Sequence, residues 1–320
     1  MKDSKSKFSY LFGPVPSRRL GMSLGVDLVP AKTCSMDCIY CESGKTTDFT
    51  SERGEFFPTD EIIEELDLYL SSFPEIDYIT FSGAGEPTLH SGIGKVISFL
   101  KGHYPGYKIA LLTNAMMLVD EKVFQEVLNV DLIVPSLDSV VSEIFSTINR
   151  PVNRVDCVAL VDALARFKNE SKALFYLEVF VVPGVNDTPL AIDLLVAAIE
   201  RICPDKVQLN TLDRPGTESW VHSASAEEMG FFADKIAKIA NVETVGRFIH
   251  KKGCRSNISP SDSLEERIIG LISRRPCTLE DVASALNLDI DKLKTVFDEM
   301  LNEGKITSET RSRGKFYKIN

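Results

Sequence analysis

Leu24-Gly-Val-Asp-Leu-Val29, followed by Pro30-Ala-Lys-Thr-Cys34-Ser-Met-Asp-Cys38-Ile-Tyr40-Cys41, is the stretch on which the fold turns. A short apolar run closed by proline reads as a buried strand, and three cysteines within eight residues follow it directly. Three thiolates in one loop can occupy three corners of a four-iron cluster and leave one iron without a protein ligand. Structural zinc is the competing reading, but such sites take four ligands, and the nearest histidine along the chain is His90. Cys157, Cys203, Cys254 and Cys277 are scattered and form no second cluster motif. An odd total of seven cysteines in a long chain does not suggest a disulfide framework.

Outward from this loop the chain repeats one pattern. Further short apolar runs at Tyr78–Phe81, Lys108–Leu112, Leu132–Val134, Ala173–Val182 and Lys206–Leu209 read as strands buried on both faces. Amphipathic helical spacing separates them at Thr59–Leu70, Gly92–Lys101, Asp120–Asn129, Val155–Lys168 and Thr188–Ile202, with Thr59 a candidate N-cap. Six strands alternating with helices imply βα units and a parallel sheet. Right-handed crossovers leave an open doubly wound sheet or a full or partial barrel.

After about residue 250 the composition changes. Residues 251–261 are polar and turn-rich, as in a linker between a domain at 1–250 and another at 262–320. In the second domain, helices are expected at Leu264–Ser273, Leu279–Leu286 and Ile290–Glu303, entered through Ser263, Thr278 and Asp289 and closed by Gly304. A hairpin turning at Arg313-Gly314 follows, so this unit is similar to a winged helix-turn-helix domain. Its net charge is −1, and its third helix carries Asp291, Asp298, Glu299 and Glu303 against only Lys292 and Lys294. An acidic helix suits a DNA groove poorly, so nucleic-acid contact would fall to Arg311, Arg313 and Lys315 of the hairpin.

The whole chain of 320 residues has a net charge of −10, which argues against a broad nucleic-acid or membrane-binding surface. Its longest apolar run, Leu174 to Val185, is interrupted by Tyr176 and Glu178 and is too short to span a membrane. No apolar stretch follows the basic N-terminus, so the expected location is cytoplasmic.

The triplet, with Tyr40 before its last cysteine and a repeated βα pattern after it, resembles the radical S-adenosylmethionine (SAM) superfamily. Phe12-Gly-Pro-Val-Pro-Ser-Arg-Arg-Leu-Gly21 and Ser23-Leu-Gly-Val-Asp27 resemble a subgroup distantly similar to the wyosine tRNA-modifying enzymes. The likeness covers roughly residues 10–215. It implies a partial (βα)6 TIM-like barrel with its cofactors at the C-terminal strand ends, where barrel chemistry sits. One 4Fe-4S cluster on Cys34, Cys38 and Cys41 would chelate SAM, and an electron donor such as flavodoxin or ferredoxin would reduce it. Cleavage would then yield a 5′-deoxyadenosyl radical that abstracts hydrogen from an RNA base, a peptide or a small molecule.

The resemblance also points to residues just after successive strands. Gly83, Gly85 and Glu86 correspond to a Gly-Gly-Glu loop that suits an ammonium group. Asn114, Ser136 and Asp138 would meet the carboxylate and ribose of SAM, although Asp138 could equally cap a helix. Val182 opens an adenine-contacting loop. Arg18, Arg19, Asn210 and Arg214 are candidates for substrate contact or for structural pairing, Arg18 or Arg19 with a buried acid such as Asp27. An iron–sulfur sensor reporting to a DNA-binding C-terminal unit is the alternative from another functional class.

Overall fold

A computed structural model of the chain describes residues 8–17, 19–82, 85–245, 263–286, 288–311 and 313–320. Arg18, Gly83 and the expected linker 251–261 lie outside them. An antiparallel pair, β1 (Leu11–Ser17) and β2 (Gly21–Val26), opens the fold. A two-residue ladder, β3 (Thr33–Cys34) with β4 (Asp48–Phe49), frames the cysteine loop. Then come α1 (Thr59–Leu70), β5 (Tyr78–Phe81), α2 (Ile93–His103), β6 (Lys108–Thr113), α3 (Glu121–Val127) and β7 (Leu132–Pro135). They are followed by α4 (Ser142–Asn149), α5 (Cys157–Glu170), β8 (Leu174–Phe180), α6 (Pro189–Ile202), β9 (Lys206–Asn210), α7 (Ala226–Ile236) and β10 (Val242–Thr244).

The main sheet has the order β1-β2-β5-β6-β7-β8-β9-β10, parallel from β2 onward. It is an α/β fold with β1 and β10 at open edges, consistent with a partial barrel. Alternation along each strand sorts the core. Ile109, Leu111, Ile133, Phe175 and Leu177 pack with Ile62, Leu66, Ile97, Phe124 and Leu164 of the helices. The residues between them, Ala110, Leu132 and Val134, join Leu20 in a separate small cluster on the other face.

Some boundaries differ from the sequence reading. The first parallel strand is Gly21–Val26 rather than Leu24–Val29: its pairing with β5 ends at Val26 opposite Phe81, and Asp27 keeps only a bond to Tyr10 O on the β1 side. The cap of α1 is also not Thr59: Pro58 precedes the helix, and Glu55 accepts both the N–H and the hydroxyl of Thr59.

The C-terminal unit comprises α8 (Leu264–Ile272), α9 (Leu279–Leu286), α10 (Ile290–Asn302) and the hairpin β11 (Ile306–Arg311) with β12 (Gly314–Ile319). It has its own core of Ile268, Ile272, Val282, Leu293, Phe297 and Met300. Ser263 and Glu266 form a reciprocal capping box, and Asp289 caps α10 through the N–H of Asp291. Gly304 ends that helix at φ +69°, where a side chain would be strained.

Candidate functional site

The loop carrying Cys34, Cys38 and Cys41 lies beyond the C-terminal end of β2, and backbone bonds tie it to three other segments. Asp37 N–H donates to Asn149 O at 3.1 Å, and Ile39 N–H donates to Ile148 O at 2.9 Å. Val152 N–H meets Ser35 O at 2.9 Å, Glu86 N–H meets Thr33 O at 3.0 Å, and Glu218 N–H meets Ile39 O at 3.2 Å. Gly85 makes one of these approaches possible, because a Cβ there would run into Thr33 O and the Val29 side chain.

All three cysteines are free and half-buried, and each thiol faces an N–H donor. Met36 N–H lies 3.4 Å and Asn114 Nδ2 3.6 Å from Cys34 Sγ; Asn149 Nδ2 is 3.6 Å from Cys38 Sγ, and Lys32 Nζ is 3.9 Å from Cys41 Sγ. Lys32 reaches this position from a left-handed backbone, φ +70°, and also donates to Gly44 O. Burial and the charge of Glu86 push the Cys34 thiol up to about 12, and burial with the charges of Cys41 and Cys34 pushes Cys38 well above its ordinary value. Three thiols that repel one another as thiolates, each met by a donor, are suited to a cationic iron–sulfur group, whose potential such donors tune. Three thiols are the number that a cluster with one open iron takes, whereas a structural zinc takes four ligands, so the donor set fits a cluster.

Glu86 is 2% exposed and joins two strand ends. Its Oε1 accepts from Thr88 N, Thr88 Oγ1 and Thr113 Oγ1 at 3.0, 2.6 and 2.7 Å, and its Oε2 accepts from Asn114 N at 2.7 Å. Burial raises its pKa and these bonds oppose the rise. Asn114 continues the chain of contacts, donating through Nδ2 to Ser35 Oγ at 3.0 Å. Thus Gly85, Glu86 and Asn114 meet beside Cys34, although 80 positions separate Asn114 from that cysteine.

Asp138 is nearly inaccessible, and three donors occupy its carboxylate: Tyr40 OH and Asn149 Nδ2 on Oδ2, each at 2.7 Å, and Phe180 N on Oδ1 at 2.8 Å. Burial raises its pKa to about 6, against the lowering effect of these bonds. Asp138 is not a helix cap, since α4 begins at Ser142 behind Val141. It anchors the cysteine loop through Tyr40. Two acceptors nearby stay open among the described residues, the buried Asn149 Oδ1 and the half-buried hydroxyl of Ser136. Val182 is held by Asn186, whose Oδ1 accepts Val182 N and whose Nδ2 donates to Asp138 O and Phe180 O.

Register places Ser136, one residue past β7, beside Glu178, Gln208 and Glu243 of β8, β9 and β10. Arg19 pairs with Glu178 in this row, and Gln208 Nε2 donates to Glu243 Oε1 at 2.6 Å. Asn210, at the end of β9, accepts Thr211 N at 3.0 Å. Arg19 therefore finds its acid in Glu178; Asp27 is taken by Arg274 of the C-terminal unit, through two bonds of 2.9 and 2.6 Å.

Arg214 also meets the C-terminal unit. Its Nη1 lies 3.1 Å from Glu42 Oε2, one residue past Cys41, and its Nη2 lies 3.3 Å from Asp281 Oδ2 at the start of α9. Arg313 of the hairpin is fastened to Asp213, at 2.6 Å, and to Asp281. The sequence carried no signal for Asn149, Lys32 or Asp281. Their roles arise from contacts across long stretches of chain.

A model of the radical SAM superfamily matches residues 28–194. The chain is 31% identical to a UPF0026 protein of Methanocaldococcus jannaschii over 318 residues, covering 97% of this chain and 95% of that one. It is 32% identical to a Brachyspira hyodysenteriae protein named GTPase Obg, covering 99% of this chain but only 46% of that protein. In fold it is similar to a radical SAM methyltransferase of Sphaerobacter thermophilus, with a TM-score of 0.54, 17% identity, and 69% and 65% of the two chains covered.

Proposed function

The chain belongs to the radical SAM superfamily and to the UPF0026 protein family, and we propose that Cys34, Cys38 and Cys41 hold the 4Fe-4S cluster it uses with SAM. The observation that carries the assignment is the provision of an N–H donor for each thiol of the triplet. Bound there, cluster and SAM supply reductive cleavage to methionine and a 5′-deoxyadenosyl radical, which takes a hydrogen atom from substrate. The protein's own groups position and shield these cofactors.

Gly85 lets the backbone come close, Gly83 lying outside the described residues, and Glu86 Oε2, with a single donor among the described residues, retains capacity for the amino group of SAM. Asn114 orients the carboxylate side, while Ser136 Oγ and Asn149 Oδ1 take the ribose hydroxyls beside Asp138. Backbone groups from Val182 onward read the adenine. Arg19, Asn210 and Arg214 are assigned to substrate contact, and with them Arg18, which lies outside the described residues.

Three helices and a hairpin support reading residues 262–320 as a winged-helix-like domain, divided from a barrel at 1–250 by the linker. Distant kinship with wyosine tRNA-modifying enzymes rests on the Phe12–Gly21 string. Flavodoxin or ferredoxin is the proposed electron donor and the cytoplasm the proposed location; among the described residues no helix is long and apolar enough to cross a membrane. Engagement of Arg313 by Asp213 and Asp281 disfavours the DNA-regulator reading.

Anaerobic reconstitution tests the assignment. The protein should take up about four irons and four sulfides, and form 5′-deoxyadenosine from SAM under reduction. Cys38→Ala should lose most of the iron. Stoichiometric zinc with no reconstitutable cluster would refute it.

A further inference from the structure

The segment that carries the cysteines, from Asp27 directly after β2 to Glu42 directly after Cys41, is fastened at both ends to the C-terminal unit. At the first end Arg274, between α8 and α9, holds Asp27 through two bonds of 2.9 and 2.6 Å. Its guanidinium lies 3.6 Å over the Phe12 ring, and that ring fills the space a side chain at Gly25 of β2 would need. At the other end Arg214 takes Glu42 at 3.1 Å on one terminal nitrogen. Its other terminal nitrogen meets Asp281, in the first turn of α9, at 3.3 Å. Arg313 of the hairpin binds Asp281 and Asp213, so these pairs close a ring through the peptide bond that joins Asp213 to Arg214.

The connection continues inward from Arg214. A Cβ at Gly216 would lie 3.1 Å from the backbone of Tyr40, so the chain there runs against the cysteine loop. Thr217 Oγ1 donates to Cys38 O at 3.0 Å, and Glu218 N–H donates to Ile39 O at 3.2 Å. Residues 213–218 are thus a layer between the C-terminal unit and the loop. The side chains of Arg214 and Asp213 are only 5% and 3% exposed, so salt screens their pairs little, and removing one partner strands the other.

Three thiolates repel one another, and iron leaves such a triplet when the loop spreads. Fixing the two ends of the segment removes freedom that spreading requires. Whatever the docked unit adds to cluster retention, the cluster must add to docking, because coupling between two sites is reciprocal. We propose that the C-terminal unit is a clamp on the cluster-binding segment, with Arg274 and Asp281 as the positioning residues that hold its two ends. Cluster binding and docking of the unit therefore strengthen each other. This role rests on the assignment of the cluster to Cys34, Cys38 and Cys41.

The test uses full-length, anaerobically reconstituted protein and two measurements. In the first, a ferrous chelator is added and iron release is followed by absorbance. Arg274→Gln and Asp281→Asn should each release iron about fivefold faster than wild type or more, the lower end of coupling between sites. Arg274→Lys, which keeps the charge but loses the fork, should fall between. Lys305→Gln breaks pairs with Glu265 and Glu303 inside the C-terminal unit and should release iron as wild type does. The second measurement, hydrogen exchange of wild type with and without cluster, needs no variant: α9 should exchange more slowly when the cluster is present. That cluster dependence should vanish in Asp281→Asn, whereas a merely structural interface would speed exchange equally in both states. Equal iron release by wild type and both variants, or exchange of α9 that ignores the cluster, overturns the clamp while leaving the cofactor assignment standing. A wild type that takes up no iron refutes that assignment, and the clamp with it.

Discussion

The Tyr40 ring stacks on Phe180 with centroids 3.7 Å apart and planes 6° from parallel. The residue before the last cysteine is thereby locked to the end of β8, and its hydroxyl reaches Asp138. Loop and strand ends move together.

Tyr40→Phe should keep the stack and the cluster but leave a buried carboxylate short of one donor, at about 1–3 kcal/mol. The pH dependence follows from Asp138. Its folded pKa of about 6 lies above the ordinary value, so its contribution to stability is present below the unfolded pKa and lost as pH rises through 6. Removing a bond that lowers this pKa should therefore hurt more at pH 8 than at pH 5. Urea unfolding of the metal-free variant and wild type at both values checks this, and an equal loss at both would exclude the carboxylate as the cause.

Glu86→Ala has two effects that can be separated. Four donors lose their acceptor, so the fold should be measurably weaker to urea. SAM affinity should also fall by about 1.5–3 kcal/mol, the range for a hydrogen bond to a charged group. Calorimetry on cluster-loaded protein decides: a stability loss with unchanged affinity would make Glu86 purely structural.

Asp281 joins Arg214 and Arg313. Burial opposes its charge, but the two arginines outweigh burial and hold its pKa below the usual aspartate value. The stability it contributes is present above the unfolded pKa and lost as pH falls through the lower folded one. Asp281→Asn at neutral pH should imitate that acid state. Hydrogen exchange should show faster opening of α9, by about 1.5–3 kcal/mol, with α1 unchanged.

Any nucleic-acid binding should come from hairpin residues other than Arg313, with Arg311 first having to leave Glu309 on its own strand. Replacing Arg311 and Lys315 with Ala should flatten the salt dependence by roughly 0.7–0.9 log units for each phosphate-neutralising side chain removed. Arg313→Ala should leave the slope alone, because Asp213 and Asp281 already neutralise that residue. Labelled RNA and DNA titrated at several salt concentrations test this, and no binding by wild type at low salt removes nucleic acid from the partners.

Six of the main sheet's seven parallel strands were legible because each is a short apolar run with turn residues at its ends; β10, three half-buried residues, was not. Strand β1 was not, since Pro14 and Pro16 read as loop; an edge strand tolerates them. Helix α4 escaped notice because Ser142, Glu143 and Ser146 dilute its three buried positions, Phe145, Ile148 and Asn149. In the site, the cysteines announced themselves by spacing alone. Asn149 stands 111 positions from Cys38, a distance at which only the folded sheet supplies the connection. Arg214 and Arg19 had the right chemistry, but their partners, Asp281 and Glu178, carry no local mark.

The bond between Asp27 and Arg274 spans 247 positions. At roughly 5–20 residues per second of synthesis, the two ends of that bond leave the ribosome about 12–50 s apart. The cysteine loop, Asn114, Asn149 and Glu218 are all made within that interval, before the segment that pins the last wall exists. The cysteine loop can therefore settle against Asn114, Asn149 and Glu218 before Arg274 exists to pair with Asp27.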